Sequence, residues 1–566
     1  MSGTSPPGDV HHALDSTHPM DPIIARQREE AAREKAANRP EEKHLENLER
    51  STLTAEERKH LNLQQDNINA RLENPLAGIS RERLMGMGRA FAKEKGLEEY
   101  TEEFEKGALI AQDPLAFESL EILNEEDKRV LRREVTHRWH QPKTMYFLVI
   151  ACSMAAAVQG MDESVTNGAN LFWAPQFGLD TTAGTPDAGK HQWLLGLVAG
   201  SPYLACAVLG CWLTAPLNDW LGRRGTIFLT ALISGLTCIW SGCVNSWGHL
   251  FAARFVLGLG IGPKSATVPV YAAETAPPMI RGALVMQWQV WTAFGIMFGT
   301  ASSLAFYKVK DPSSVAITGL NWRLMLGSAC LPAIFVCAQV YFCPESPRFV
   351  LGFEPDALIE SLNSDERRWL MSKGRYVEAY ASLCRLRWSR VQAARDLFFI
   401  HALLEEEAAI STGRSAIVEL FMVARNRRAA LATGIVMFMQ QFCGINVSLA
   451  SLFLHRIVFE LSSDWFSQYY SSTVFREAGF DEISALGASL GFGALNWVGA
   501  APAMWTIDTF GRRALLLTTF PLMGVFLLMT GFAFWIPASS KARISVVALG
   551  IYLHCLAYSP GEGPVP

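Results

Sequence analysis

Three amide side chains lie in a strongly apolar stretch of the sequence, "QQFCGIN" at residues 440–446. Gln440, Gln441 and Asn446 can each donate and accept hydrogen bonds without being ionised. A buried amide without a partner is costly, and polar residues inside a membrane-like segment indicate function. We therefore expect these three side chains to have polar partners inside the fold.

An acidic and a basic residue also lie inside apolar stretches. Asp162, in "VQGMDESVTNGA", is near the end of the first predicted membrane span, and Arg254 is near the start of the fourth. Because charges inside a membrane need partners, we expect the two to pair across a cavity and protonation of Asp162 to break the pair. The alternative is that both lie at water-filled helix ends and never meet.

A short charged motif occurs twice, as "NDWLGRR" at residues 218–224 and as "IDTFGRR" at residues 507–513. Its aspartate could pair with arginines or face a helix N-terminus, and its glycine, Gly222 or Gly511, permits a tight turn between two spans. Such a latch would hold one conformation and release in another. Its presence in both halves indicates duplicated helical bundles. The charged residues of the two copies are Asp219, Arg223 and Arg224, then Asp508, Arg512 and Arg513.

The elements that position these residues are predicted to be membrane helices. The chain has 566 residues, of which 50% are hydrophobic and 18% charged. From Met145 onward apolar stretches of roughly 20 residues recur, the length that crosses a bilayer. Residues 1–143 are instead rich in Glu, Lys and Arg, which predicts a helical arm that is partly disordered before residue 70. The ten predicted spans are about 144–166, 192–214, 225–245, 249–272, 283–307, 324–343, 429–454, 483–505, 514–536 and 544–566.

The flanking cations predict the orientation of these spans. Most cations are predicted on the same side of the membrane as the arm: Arg281, those of the segment 346–428 and those of both Gly-Arg-Arg motifs. By the positive-inside rule, that side is the cytosol. A net charge of -4 gives no basic face for nucleic acid, and the 11 cysteines have no spacing typical of a metal site or a disulfide framework. No cofactor and no metal are predicted.

The series Gly258, Gly260 and Gly262 resembles a dinucleotide-binding loop only in its spacing. No strand precedes it and its flanks are predicted membrane helix, so we interpret it as close helix packing. The sequence has no nucleophile elbow and no paired catalytic carboxylates at helical spacing, and we predict no enzyme.

Seven motifs in order resemble the sugar porter family of the major facilitator superfamily, and the fungal inositol and hexose transporters most of all. The resemblance extends from about residue 144 to the end of the chain and implies an all-α fold of two pseudo-repeated six-helix bundles. It also implies transport of a sugar or polyol by alternating access, often with protons. The motifs are "NDWLGRR", "PVYAAETAPPMIRG", "NWRLMLGSACLPA", "CPESPR" followed by "WLMSKGR", "QQFCGIN", "DTFGRR" and "GEGPVP".

The resemblance also implies roles for individual residues. Amides suit a ring of hydroxyls because they both donate and accept hydrogen bonds. The implied proton-coupling pair is Asp162 with Arg254. Met161 and Ala215 depart from the family pattern, which has an aromatic residue and a glycine there. The implied substrate-binding residues are Gln289, Gln440, Gln441, Asn446, Tyr469 and Tyr470. The implied gating residues are Asp219, Arg223, Arg224, Glu274, Arg281, Glu345, Arg348, Asp508, Arg512 and Arg513.

Two segments interrupt the family pattern. Residues 447–468 separate Asn446 from Tyr469 and make one span about twice the usual length, and residues 349–368 form a second, less distinct insertion. Retained introns and real insertions are both compatible with these segments. The chain ends in "GEGPVP", which matches the family's tenth helix, and we expect the second bundle to be incomplete with about ten spans present.

The sequence therefore predicts four regions and one main function. The function is transport of a hexose or myo-inositol across the plasma membrane, coupled to protons, with a cytosolic N-terminus; the lipid bilayer is the other partner. The alternatives are a sugar sensor that signals through the arm without transport, and a non-functional truncated gene model. The regions are the arm 1–143, a six-helix bundle 144–345, a cytosolic linker 346–428 and an incomplete bundle 429–566.

Overall fold

The computed structural model describes most of the chain, and every regular element in the described part is a helix. Two compact units are distinguished, Met1–Gly78 and Ile79–Pro566, and all the helices named below belong to the second. The arm before residue 70 lies outside the described residues. The described residues are 74–179, 187–311, 318–348, 365–410, 420–442, 472, 475, 480–503, 510–537, 540–561 and 563.

Three amphipathic helices precede the membrane part of the chain: α1 (Arg81–Glu94), α2 (Thr101–Gln112) and α3 (Glu125–Thr136). The first turn of α3 holds three acidic residues, which favours a helix start because the N-terminal end of a helix is partly positive. Helix α1 buries Leu84 and Phe91 against α2. The apolar core of α1 and α2 continues onto the linker, where Phe91 packs on Phe398.

The first half of the membrane region is built from seven helical segments. Helix α5 passes through a π-helical turn at Cys206–Gly210 directly into α6, and non-helical backbone at Gly222 inside α6 separates the second predicted span from the third. The segments are α4 (Lys143–Gln176), α5 (Ala188–Ala205), α6 (Cys211–Cys243), α7 (Trp247–Thr275), α8 (Arg281–Phe306), α9 (Leu320–Ser328) and α10 (Cys330–Val340).

Two linker helices and four further helices follow. Each of the ten predicted spans overlaps a helix in the described residues, and 443–454 of the seventh span lies outside them. The helices are α11 (Asp365–Leu386), α12 (Arg390–Ile410), α13 (Ala424–Phe442), α14 (Glu482–Ala500), α15 (Arg512–Ala533) and α16 (Lys541–Tyr558). In the part of the chain that the structure describes, five segments are long and apolar enough to cross a membrane by length and composition: Lys143–Gln176, Gly189–Cys243, Leu320–Val340, Glu482–Ala500 and Arg512–Ala533.

Small residues let the membrane helices approach closely. A Cβ atom on Gly258 would overlap the carbonyl of Pro202, and one on Gly262 would lie 2.5 Å from the backbone of Gly210. A Cβ on Gly260 would lie 3.1 Å from the carbonyl oxygen of Thr230 on α6. The interpretation of this series as close helix packing is confirmed, and α7 is fixed against α5 and α6.

The two copies of the Gly-Arg-Arg motif form the same kind of turn. Gly222 has φ +75° and interrupts the helical geometry of α6, and Gly511 has φ +79° immediately before α15. Residues with a Cβ are strained at these angles, so glycine is required for the chain to turn here. The prediction of a tight turn at each glycine is confirmed.

The two halves of the membrane region meet along α8 and α14. Helix α8 packs against α4 on one side and α14 on the other. A Cβ on Gly493 of α14 would lie 2.9 Å from the Cα atom of Met297 on α8, so these backbones are nearly in contact. Residues on α8 are therefore placed between the two halves.

Candidate functional site

Two of the predicted substrate-binding amides lie close to the same backbone segment. The Nε2 atom of Gln440, on α13, is 3.5 Å from the carbonyl oxygen of Gly563. A Cβ on Gly563 would lie 3.3 Å from the Nε2 atom of Gln289, on α8. Amides from the first and second halves of the molecule thus converge on the segment after α16. Gln441 lies on α13, and Asn446, Tyr469 and Tyr470 lie outside the described residues.

Three buried asparagines were not singled out from the sequence. Asn167 accepts a hydrogen bond from the backbone N–H of Ser472 at 3.2 Å, which joins α4 to the second half. Asn496 of α14 accepts one from the hydroxyl of Ser559 at 2.8 Å, and its buried Nδ2 atom has no hydrogen-bond partner in the described part of the chain. Asn170 accepts one from the indole of Trp173 at 3.0 Å. The sequence feature that could have identified these asparagines is an amide side chain inside an apolar helix.

Asp162 is buried in α4, and its described contacts differ from the predicted ones. Its Oδ1 atom accepts a hydrogen bond from the thiol of Cys238 at 3.0 Å, and its Oδ2 atom is 4.0 Å from the ammonium nitrogen of Lys264 on α7. Arg254 is also buried, but among the described residues no ion pair joins it to Asp162 and its Nε atom has no hydrogen-bond partner. In this structure the cation within ion-pair distance of Asp162 is therefore Lys264.

Four predicted gating residues of the first half, Arg223, Arg224, Glu274 and Glu345, form a connected network. The guanidinium of Arg223 donates two hydrogen bonds to Glu274, from Nε and Nη2, each of 3.1 Å. Glu345 accepts hydrogen bonds from the backbone N–H groups of Arg223 and Arg224 at 3.1 and 3.3 Å. Burial raises the pKa of Glu345, against the opposing effect of these N–H groups. The turn after Gly222 is thus held by two carboxylates, one near the end of α7 and one in the segment after α10.

The other predicted gating residues differ in how deeply they are buried. Arg281 is exposed at the first residue of α8, and Arg348 is half-buried. Asp219 is exposed, and no described hydrogen bond or ion pair joins its carboxylate to the arginines of its own motif. In the second copy Arg512 and Arg513 are exposed, and Asp508 lies outside the described residues.

The linker is tied to the same end of the molecule. Arg387 donates a hydrogen bond of 3.1 Å to the carbonyl of Thr275, the last residue of α7, and another of 2.7 Å to Asp396 on α12. Ser382 donates one of 2.7 Å to the carbonyl of Glu345. Although burial alone would raise the pKa of Asp396, Arg395 and Arg387 hold it below its usual value. The linker therefore contacts both the end of α7 and the segment that holds the turn.

The arm helices dock on this linker. Arg395 of α12 forms an ion pair of 3.0 Å with Glu134 of α3, and the ring of Phe91 lies 4.8 Å from that of His401 and 5.6 Å from that of Tyr376. Both charged groups of the Arg395–Glu134 pair are largely buried. The arm and linker thus form one packed layer next to the gating network.

A family model described as "Sugar (and other) transporter" matches residues 148–354 and 364–566. The chain belongs to the sugar porter family of the major facilitator superfamily. As a sugar porter it is a multi-pass membrane protein, and the predicted major facilitator fold is confirmed. The two matched segments leave 355–363 unmatched, inside the predicted insertion 349–368. The other predicted insertion, 447–468, lies outside the described residues.

Similar proteins are known from several organisms. The sugar porter chain is 28% identical over 423 residues to the myo-inositol transporter FST1 of Gibberella moniliformis, across 73% of this chain but only 62% of FST1. It is 28% identical to the arabinose-proton symporter of Escherichia coli K12, across 74% of this chain and 75% of that protein. The structure of the xylose transporter XylE from E. coli, in a partially occluded inward-open conformation, aligns with a TM-score of 0.55 at 22% identity, covering 75% of this chain and 86% of XylE.

Proposed function

We propose that this sugar porter moves a sugar or polyol of the hexose or myo-inositol class across a membrane by alternating access, in symport with protons. The observation that carries the proposal is the approach of Gln289 and Gln440 to the same segment at Gly563. Because the two glutamines belong to different halves of the molecule, a ligand between them would contact both halves. Such a ligand would be exposed to one side of the membrane or the other as the halves rock.

The chemistry of this region suits an uncharged ligand with many hydroxyl groups. Each amide offers two donors and an acceptor, and each hydroxyl group can use both kinds of partner. The other proposed substrate-binding side chains are those of Gln441, Asn446, Tyr469 and Tyr470. FST1 is named as a myo-inositol transporter and a second relative as an arabinose-proton symporter, which supports the same substrate class.

Proton coupling is assigned to Asp162 and Arg254, which form no ion pair in this conformation and would pair in another. A buried carboxylate such as Asp162 can gain a proton at acid pH, and its protonation would break the pair. The names of the arabinose-proton and galactose-proton symporters of E. coli support coupling in this chain.

The charged network is proposed as the gate on the cytosolic side. Together, the Arg223–Glu274 pair and the contacts of Glu345 would keep the cytosolic side closed. These contacts would break when that side opens. Arg281 and Arg348 would join the network, and Asp219, Asp508, Arg512 and Arg513 would act in other conformations. The proposal places the N-terminus in the cytosol and the protein in the plasma membrane, with no enzymatic activity.

Uptake of labelled sugars by cells that lack their own hexose and inositol transporters tests the proposal. The chain should support uptake of at least one hexose or myo-inositol, faster at acid than at neutral pH, and a protonophore should abolish the accumulation. The variant Gln440→Ala should take up less solute at low concentration while reaching the membrane in normal amounts. A chain that reaches the membrane but takes up none of these solutes contradicts the proposal and favours the sensor alternative.

A further inference from the structure

Helix α7 brings a second cation to the proposed proton site. Lys264 is fully buried, and its ammonium group lies 4.0 Å from the carboxylate of Asp162 and donates a hydrogen bond of 3.3 Å to the hydroxyl of Ser234. Arg254 lies ten positions earlier on the same helix, roughly 15 Å away along its axis. The carboxylate thus has one cation at ion-pair distance, Lys264, while Arg254 acts on its charge from farther away.

We propose that Lys264 is a positioning residue for proton coupling: it is the counter-ion that keeps Asp162 ionised in this conformation and so sets the pH at which Asp162 takes up a proton. The inference rests on the proposed function, because it gives Lys264 a role in the same proton step. It differs from the assignment of Arg254, which in this structure forms no described ion pair with Asp162.

The surroundings leave Lys264 few other partners for its charge. The ionisable groups that face it are Asp162 and Glu163 on α4, Cys238 on α6 and Cys337 on α10. Glu163 accepts a hydrogen bond from the hydroxyl of Tyr203, and the thiol of Cys238 donates a hydrogen bond to Asp162. Of the described carboxylates, Asp162 has an oxygen at 4.0 Å from the ammonium group. Because an isolated charge in a membrane interior is very costly, the Asp162 carboxylate is the group that compensates Lys264.

Close packing fixes where Lys264 can reach. Gly258 and Gly262 press α7 against the segment around Pro202 and Gly210, and Gly260 presses it against α6. With the backbone held in this way, a movement of α4 relative to α7 changes the distance between Asp162 and the backbone that carries Lys264. Protonation of Asp162 would therefore remove the attraction across the α4–α7 contact, and formation of the pair would restore it.

The consequence for proton binding has a definite sign. A cation next to a carboxylate favours its charged form, by an amount that corresponds to about 1–3 pH units for a close pair. If Lys264 is replaced by an uncharged residue of similar size, Asp162 should become protonated at higher pH. The conservative replacement by arginine keeps the charge and should keep the midpoint.

The test is an infrared titration of the purified full chain in lipid nanodiscs, following the band of the protonated carboxyl group that Asp162→Asn removes. Wild type, Lys264→Met and Lys264→Arg are compared. We expect the midpoint of the band to move upward by about 1 pH unit or more in Lys264→Met and to stay near that of the wild type in Lys264→Arg. An unchanged midpoint in Lys264→Met overturns the inference.

A thermal-stability cycle covers the case in which Lys264→Met folds poorly. Each single variant, Lys264→Met or Asp162→Asn, leaves one buried charge uncompensated, whereas the double variant leaves none. The double variant should melt several degrees above at least one of the singles. If the double variant loses as much melting temperature as the two single variants added together, the two residues do not form an ion pair and the inference is overturned.

Neither measurement uses transport, so the Asp162–Lys264 pair and the proposed proton symport are tested separately. Uptake by the same variants shows whether the chain is a proton symporter. If wild-type uptake is insensitive to protons while the midpoint shifts as expected, the proposed coupling is wrong and the Asp162–Lys264 pair stands. If uptake is proton-driven and the midpoint does not shift, the inference alone is wrong.

Discussion

The guanidinium of Arg223 and the carboxylate of Glu274 are joined by two hydrogen bonds of 3.1 Å, which link the turn inside α6 to the end of α7. Both side chains are mostly buried, at 18% and 10% exposure, so this pair is less screened than a surface ion pair. The end of α7 also receives Arg387 from the linker. Movement of α7 therefore requires several polar contacts to break together.

The substitution Glu274→Gln should lower the maximal rate of uptake about tenfold or more, because the closed gate loses one charge and a strong acceptor. The swap Arg223→Glu with Glu274→Arg should recover part of the loss. The matched control is Glu99→Gln, which changes an exposed glutamate of the arm and should leave uptake unchanged. Initial rates are normalised to the amount of protein at the cell surface. Equal losses in the single variant and in the swap would contradict the gating role.

The substitutions Gln440→Ala and Gln289→Ala should each raise the KM for substrate about tenfold, since one hydrogen bond to a ligand contributes about 1.5 kcal/mol. The double variant should lose less than the product of the two effects, because both side chains lie next to Gly563. The control is Gln287→Ala on the same helix, whose side chain accepts a hydrogen bond of 2.8 Å from Trp291. Concentration series of uptake separate KM from the maximal rate, and a KM raised equally by the control would count against the site.

The substitution Gly258→Ala should destabilise the protein by roughly 1–3 kcal/mol, because the added methyl group meets the backbone of Pro202. Gly248→Ala provides the control on the same helix, since a Cβ there meets no atom within 4 Å. The melting temperature of purified protein checks the prediction. Equal melting temperatures in the two variants would show that α7 is not held by this contact.

Much of this architecture was predictable because it depends on local chemistry. Apolar run length predicted the helices, and the two motif glycines predicted the two turns because only a residue without a Cβ is unstrained at positive φ. The series Gly258, Gly260 and Gly262 was interpreted correctly as a packing surface because its flanks are continuous membrane helix.

The contacts of Asp162 were not predictable in the same way. The partner of a buried charge depends on how far α4 is shifted along α7, which is a tertiary property with no local signal in either helix. Lys264 was visible in the sequence as a lysine inside an apolar span, and that signal was overlooked in favour of Arg254. The partners of Asn167 and Asn496 are set by contacts of the same long-range kind.

The contact between arm and linker should weaken as the pH falls. Burial lowers the pKa of His401, which packs on Phe91 and shares a hydrogen bond of 3.0 Å with Tyr376. Because its pKa is depressed in the folded state, this group contributes stability that is present above its ordinary pKa of about 6.5 and is lost as the pH falls toward the folded value. Amide hydrogen exchange of residues 81–136 should therefore quicken, after correction for intrinsic rates, between pH 7 and about pH 5.5. His401→Phe should remove this dependence, and an equal dependence in the variant would contradict the assignment to His401.

The central claim is that sugar and protons move together through this chain, and the most direct test is proton movement driven by sugar alone. Protein is reconstituted into liposomes without a proton gradient, and the transported hexose or myo-inositol is added outside while the external pH is recorded. The account predicts that the external pH rises as protons enter with the sugar, and that Asp162→Asn abolishes this rise. Sugar entry with no pH change, equal in the wild type and in Asp162→Asn, would contradict it.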